Sequence, residues 1–226
     1  MLVHGAWTAV DGLVHGFLDA AACAGHADLG TALAACGVAL PLCTARQVHG
    51  TAVIVPGVGE PRREADALLA VASGVAVGVV TADCAPVLLV APRHQAAAAA
   101  HAGWRGAATG VLEAAVAALR ARAGASAEIE AVIGPAIGGC CYQVGHEVHE
   151  AFRSRVGALT AAAWSPDGER LRLDLRTAVR ALLHAVGVER VTVLGPCTFC
   201  GEGYSSYRRD GAGAGRQLSW VGWMRR

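Results

Sequence analysis

Apolar residues follow two rhythms along this chain of 226 residues. In the first half they come as short continuous runs at 65–70, 75–81 and 87–91, bounded by Gly, Asp-Cys and Pro. That is the pattern of strands covered on both faces. The run at 95–100 is ambiguous in composition, because alanine favours helix, but six residues followed by His-Ala-Gly fit a buried strand ending at a functional turn. Further on the period lengthens. Val111, Leu112, Ala115, Val116 and Leu119 form one stripe of a helix over 109–122, with Glu113, Arg120 and Arg122 outside it. Segments 129–133 and 190–194 read as strands, 145–156 and 176–186 as helices, and 56–64 (PGVGEPRRE) as an exposed loop. Strands interleaved with helices, without a long linker or a fixed repeat, predict one α/β domain over residues 1–226, built on mixed sheets.

Composition narrows the function classes. Hydrophobic residues make up 54% of the chain, enough for a sizeable core and too many for a disordered chain. The net charge is +1 and every cationic side chain except the histidines is arginine, since Lys is absent. A balance so near zero gives no global field toward nucleic acid or an anionic membrane. The apolar stretch 67–91 is interrupted by Ser73, Asp83 and Pro86, so no membrane span is expected. The first arginine is Arg46, which leaves no basic region for a secretory signal. Eight cysteines without such a signal point to thiol or metal chemistry in a reducing compartment, by default the cytoplasm.

Three segments combine reactive side chains with glycine or proline where apolar runs end: RQVHG at 46–50, TADCAP at 81–86 and HAGWRG at 101–106. Two imidazoles and a thiolate form a set that zinc accepts with a fourth position open. An open zinc site lowers the pKa of its water toward ~7. Taken singly, each His or Cys is more readily a core or surface residue. Their shared position at strand ends, where loops gather function, is the stronger signal. Asp83 adjoins Cys84, but neighbours in an extended segment face opposite ways. Asp83 is therefore expected to orient a ligand indirectly or to cap a turn. Cys197-x-x-Cys200 lacks a second CxxC, and Cys140 and Cys141, as direct neighbours, are expected to chelate one metal poorly.

The strings RQVHG, ADALL, TADCAPVLL, AAAHAGWRG, IGPAIGGCCYQVG, CTFC, SYRRDG and GRQ, in this order, resemble the YfiH-type family. That family is long labelled multicopper polyphenol oxidase or laccase-domain and is described as zinc-dependent purine nucleoside phosphorylase and adenosine deaminase. The resemblance runs from about Arg46 to Gln217. It implies a layered sandwich of mixed sheets flanked by helices, and a zinc ion held by His49, Cys84 and His101, with copper as the alternative. It further implies phosphorolysis of adenosine, inosine and S-methyl-5′-thioadenosine, deamination of adenosine, and a monomer or homodimer. Guanidinium forks suit phosphate, so Arg46 and Arg105, with Arg208 or Arg209, are expected to bind phosphate or substrate. Tyr207, Phe199 and Trp104 are candidate stacking faces for a purine. The chain departs from the family at 18–36, which is shortened and carries Asp28-Leu29-Gly30 where Asn is usual, a change that bears on nucleoside selectivity.

Two other readings compete. One is a Cys-His hydrolase editing peptidoglycan precursors, with Cys84 as nucleophile and His49 or His101 as base. The other is a copper-dependent polyphenol oxidase, which the scarcity of methionine (Met1 and Met224 alone) argues against.

Overall fold

A computed structural model describes residues 1–225. Its centre is a six-stranded sheet in the order β12 (Arg190–Val193), β8 (Glu130–Ile133), β6 (Ala85–Ala91), β7 (Ala96–Ala102), β4 (Ala67–Ala70), β3 (Val53–Ile54). The inner pairs β8–β6, β6–β7 and β7–β4 are antiparallel, while the outer pairs are parallel. A second, four-stranded sheet runs β1 (Leu13–Phe17), β13 (Gln217–Trp223), β5 (Val75–Thr81), β2 (Leu42–Cys43). A small antiparallel sheet of β10 (Trp164–Asp167), β11 (Arg170–Leu173) and β9 (Gln143–Val144) completes the sheets among the described residues.

The alternation of side chains along β6 and β7 explains the layering. Val87, Leu89, Ala98 and Ala100 point to a core shared with α4 (Val111–Ala123), α5 (His146–Thr160) and α6 (Leu175–Ala185). Leu88, Val90, Ala97 and Ala99 point the other way, onto Val77, Val79, Val221 and Trp223 of the four-stranded sheet. The outer face of that sheet, through Ala76, Leu218 and Trp220, packs on Leu33 of α2 (Leu29–Ala35), which follows the single turn α1 (Ala20–Cys23). The order is helix, sheet, sheet, helix. This is one mixed α/β domain, as expected.

Local signals set the boundaries. Ala97, Ala98, Ala99 and Ala100 of β7 are strand because each pairs on both sides, with β6 and with β4, and burial overrides their helical preference. The helix expected over 109–122 starts at Val111 instead. Gly110 sits at φ +114°, a conformation costly for any other residue, and separates α4 from α3 (Trp104–Thr109). Asp174 caps α6 by accepting the N–H groups of Arg176 and Thr177, 3.1 Å each. The fifth helix breaks at Val156, the expected end, where the backbone leaves the helical region (φ −134°, ψ 19°), and a further turn continues to Thr160.

The two-sided burial of β6 gives a stability prediction. Leu88→Ala and Leu89→Ala remove fully buried side chains from opposite cores, and each is expected to cost about 2–5 kcal/mol in urea unfolding. Truncation of Val193, which is 38% exposed, is expected to cost under about 0.5 kcal/mol.

Candidate active site

The three chemically suggestive segments meet where β5 ends, β6 begins and β7 ends. His49 comes from the loop after β2, Cys84 from the turn between β5 and β6, and His101 from the end of β7. One ligand atom from each lies within 4.8 Å of the other two. Cys84 Sγ is 3.9 Å from His49 Nε2, and the two imidazole rings are edge-on with centroids 4.9 Å apart. A tetrahedral zinc with ordinary bond lengths would set S and N about 3.6 Å apart, so this donor set needs only small adjustment to hold such an ion. Gly103 leaves the room. A Cβ there would lie 2.8 Å from His49 Cδ2 and 3.0 Å from Cys84 Sγ.

One buried carboxylate arranges both imidazoles. Asp66 is fully buried and accepts from His101 Nδ1 at 2.8 Å. It also accepts the backbone N–H groups of Val48, His49 and Gly50 at 3.2, 2.9 and 2.7 Å. Three successive N–H groups converging on an anion require a tight concave backbone, and His49 accordingly has φ +60°. With Nδ1 engaged by Asp66, the other edge of His101 is free for Cys84, the arrangement that second-sphere carboxylates impose on ligating histidines. Gln47 docks the same loop on β5, exchanging two 2.8 Å hydrogen bonds with the backbone of Val80.

The electrostatics follow from these contacts. Burial opposes ionisation of Cys84, but hydrogen bonds from His101 and His49 bring its thiol down to about 6. Burial opposes protonation of His101, yet Asp66 and Cys84 raise it to about 9. Burial also opposes the Asp66 anion, and its bonds to His101, Gly50 and Val48 outweigh that, holding the carboxyl below its usual range. The free protein thus carries thiolate character beside an imidazolium.

This group opens into a cavity of about 670 Å³, a size common for small-molecule sites. Arg46, Arg62, Arg105, Arg208 and Arg216 line it, against Asp83 as the acidic lining residue. Trp104, Tyr142 and Tyr207 supply aromatic surface. The guanidinium of Arg105 stacks 4.3 Å above Trp104, and that of Arg208 lies 5.1 Å from the centroid of Tyr142. Arg46 pairs with Glu64 at 2.5 Å and keeps a side chain 70% exposed.

Not every expected residue arrives. Arg209 is spent elsewhere: its guanidinium donates to Asp210 and to the carbonyls of Thr198, Phe199 and Tyr204. Phe199 is likewise outside the cavity lining. Asp83, at φ +91°, touches no member of the His/Cys/His group through its carboxylate. It accepts Thr198 Oγ1 and the Arg208 N–H, both at 2.7 Å, and so joins the two loops that face β6. Cys140 and Cys141, expected to be poor joint ligands, lie in a turn, and their sulfurs meet those of Cys197 and Cys200 within 4.8 Å.

Comparison with known proteins bears on what this geometry serves. The family described as multi-copper polyphenol oxidoreductase laccase matches residues 24–224. The chain belongs to this laccase-like family. It is 40% identical over 181 residues to "Purine nucleoside phosphorylase YfiH" of Escherichia coli strain K12, covering 79% of this chain and 72% of that one. It is 37% identical over 161 residues to "Adenosine deaminase RL5" of an unknown prokaryotic organism, covering 69% and 61%. Among solved structures, YlmD from Geobacillus stearothermophilus superposes with a TM-score of 0.83 at 27% identity, over 96% of this chain and 93% of that one. No helix among the described residues is long and apolar enough to cross a membrane.

The role of Asp66 is testable without knowing the substrate. Asp66→Asn is expected to weaken zinc binding at the His/Cys/His group by about 10- to 100-fold, read by competition with a chromophoric chelator. Gly103→Ala is expected to weaken it as well, while leaving the far-ultraviolet circular dichroism unchanged.

Proposed function

We propose that this chain is a zinc-dependent purine nucleoside enzyme. Its reactions would be phosphorolysis of adenosine, inosine and S-methyl-5′-thioadenosine and deamination of adenosine. The observation that carries the reading is one cavity in which a His/Cys/His group faces a wall of arginines and aromatic rings. The names of the relatives, a phosphorylase and a deaminase, fit both halves. The eight cysteines, all free of disulfides, suit a cytoplasmic setting.

In phosphorolysis the C1′–N9 bond breaks, a phosphate oxygen bonds to C1′, and the base leaves with the electron pair and takes up a proton. The chain's part is to bring a dianion beside the ribose and to stabilise the negative charge it carries. Arg46, Arg105 and Arg208 would hold phosphate through charge-assisted hydrogen bonds. Arg105 stacks on Trp104 and Arg208 on Tyr142, which would keep Arg105 positioned for phosphate and Tyr142 for purine. Tyr142 remains a neutral phenol, because burial pushes its ionisation well above the usual range. His49, Cys84 and His101 would hold the zinc, and Asp66 would fix their orientation. When bound, zinc supplies Lewis acidity that makes a water nucleophile accessible near neutral pH, which deamination needs.

A second reading has an observation of its own. Cys84 with a lowered pKa beside two imidazoles also describes a thiol nucleophile with a general base. Metal dependence separates the two.

Purified protein incubated with adenosine, inosine and S-methyl-5′-thioadenosine is expected to release free base only with phosphate, and ammonia from adenosine without it. Complete chelation should abolish both activities and added zinc should restore them. Activity on a muropeptide amide that survives complete chelation would replace this reading with the thiol hydrolase. Arg105→Ala is expected to raise KM for phosphate about 10- to 100-fold, the cost of a lost charged hydrogen bond, with a smaller effect on KM for the nucleoside.

A further inference from the structure

A second sulfur-rich cluster lies apart from the His/Cys/His group. Cys140 and Cys141 come from the turn that follows β8, and Cys197 and Cys200 from the turn that follows β12. All four sulfurs lie within 4.8 Å of one another, and Cys140 Sγ is 3.9 Å from Cys200 Sγ. Four thiolates at ordinary zinc–sulfur distances around one ion would stand about 3.8 Å apart. No disulfide joins any of them.

The four thiols are not alike: burial and the neighbouring sulfurs push Cys140 and Cys141 up, while Cys197 is brought down. Cys140 and Cys200 are exposed, so the cluster is not a piece of apolar core. Burial disfavours an ionised Cys197, but the backbone N–H groups of Gly138, Phe199 and Cys200 are directed at its sulfur, that of Gly138 at 3.2 Å. The chain CTFCG turns tightly at Gly201, whose N–H donates to the Cys197 carbonyl at 2.7 Å. A Cβ at Gly201 would lie 2.5 Å from that carbonyl oxygen. On the other side Cys141 and Tyr142 both donate to the Gly138 carbonyl, at 2.9 and 3.0 Å, and this turn points neighbouring side chains to one side. Two cations sit against the same turns. Arg172 donates to the Cys140 carbonyl, and Arg176 donates to the Gly195 carbonyl at 2.9 Å. Arg172 is itself paired with Asp167 at 3.0 Å, so the two arginines would offset only part of the net −2 charge of a divalent ion bound by four thiolates.

We infer that Cys140, Cys141, Cys197 and Cys200 form a tetrahedral zinc site, separate from the His/Cys/His group, that fastens the 138–142 turn to the 197–201 turn. Binding needs no oxidant: one Zn²⁺ displaces the protons of the thiols and forms four Zn–S bonds. Joining these turns as a disulfide would instead require a two-electron acceptor. The consequence reaches the cavity. Tyr142 follows the first turn, and Thr198, inside the second, bonds Asp83, which in turn holds the Arg208 backbone. The ion would therefore be a positioning element for one wall of the cavity, with no contact to substrate.

Zinc content per chain is the direct test, using the full chain loaded with zinc chloride and desalted. The expected result is two equivalents for the wild type, one for His49→Ala/His101→Ala and one for Cys197→Ser/Cys200→Ser. Alkylation by iodoacetamide, mapped by mass spectrometry on the wild-type chain, gives a measurement independent of any variant's folding. Zinc is expected to slow modification of Cys140, Cys141, Cys197 and Cys200 at least tenfold. A folded His49→Ala/His101→Ala protein that retains no zinc would overturn the inference. So would equal alkylation rates with and without zinc, or a disulfide among these four cysteines in freshly purified protein. Loss of the second equivalent alone leaves the nucleoside reading standing, so the two fail separately.

Discussion

The carboxylate of Asp66 is the interaction on which the site rests. It is a charge placed in the interior with no access to water, and such a group is tolerated only when its lone pairs are filled. Four donors fill them: the His101 ring and three successive backbone N–H groups. Those donors belong to two segments far apart in sequence, so satisfying one anion fixes the loop that carries His49 against the strand that carries His101. The left-handed backbone at His49 is strained for a non-glycine residue, and the convergence of N–H groups on Asp66 accounts for it. Gly103 completes the constraint by leaving the space that His49 and Cys84 occupy.

The fold supplies rigidity around this point. Strands β6 and β7 are covered on both faces, so their ends cannot shift without disturbing two cores at once. The mostly alanine β7 lets the helices and the second sheet approach closely on either side. His101 stands at its end, where the alanine run gives way to a ligand-bearing turn. Loops from both sheets then close over one cavity, and Asp83 links the two loops that carry Thr198 and Arg208.

Much of this was legible in the chain. The buried strands were marked by their punctuation, and the strand at 96–102 was distinguishable from a helix by its length and by the turn after it. His49, Cys84 and His101 were recognisable by lying where apolar runs end. Asp66 was overlooked although its signal was present: a lone acid inside the run ADALLA must find partners if that run is a buried strand. Which partners it finds is a tertiary fact, invisible to local pattern. The arginines show the same limit. Arg208 and Arg209 are adjacent and identical in type, yet one faces the cavity and the other braces carbonyls of its own loop. The meeting of the cysteine pairs is hidden from the sequence for a related reason. Adjacent side chains diverge in a strand but not in a turn, and the parallel bridge between Ala136 and Cys197, with the Gly138 N–H on Cys197 Sγ, brings the two turns together.

The family description names several coppers, and the donor sets can be weighed against the zinc reading proposed above. Among the described residues, two groups offer three or more ligand atoms in reach of one another. One is four cysteines, a set that suits zinc. The other is two histidines and a cysteine, which resembles the equatorial set of an electron-transfer copper site. Such a site also takes a weak axial ligand, commonly methionine, and passes electrons to further copper centres bound mainly by histidine. Here Met1 and Met224 are the chain's methionines, and neither lines the cavity. The wall facing the group is instead arginine, which repels a cation and attracts an oxyanion. On the proposed reading, a wall that recruits anions beside an electrophilic ion would suit transfer of a phosphate- or water-derived oxygen to carbon, and the arrangement of charge, rather than the family's label, supports that reading.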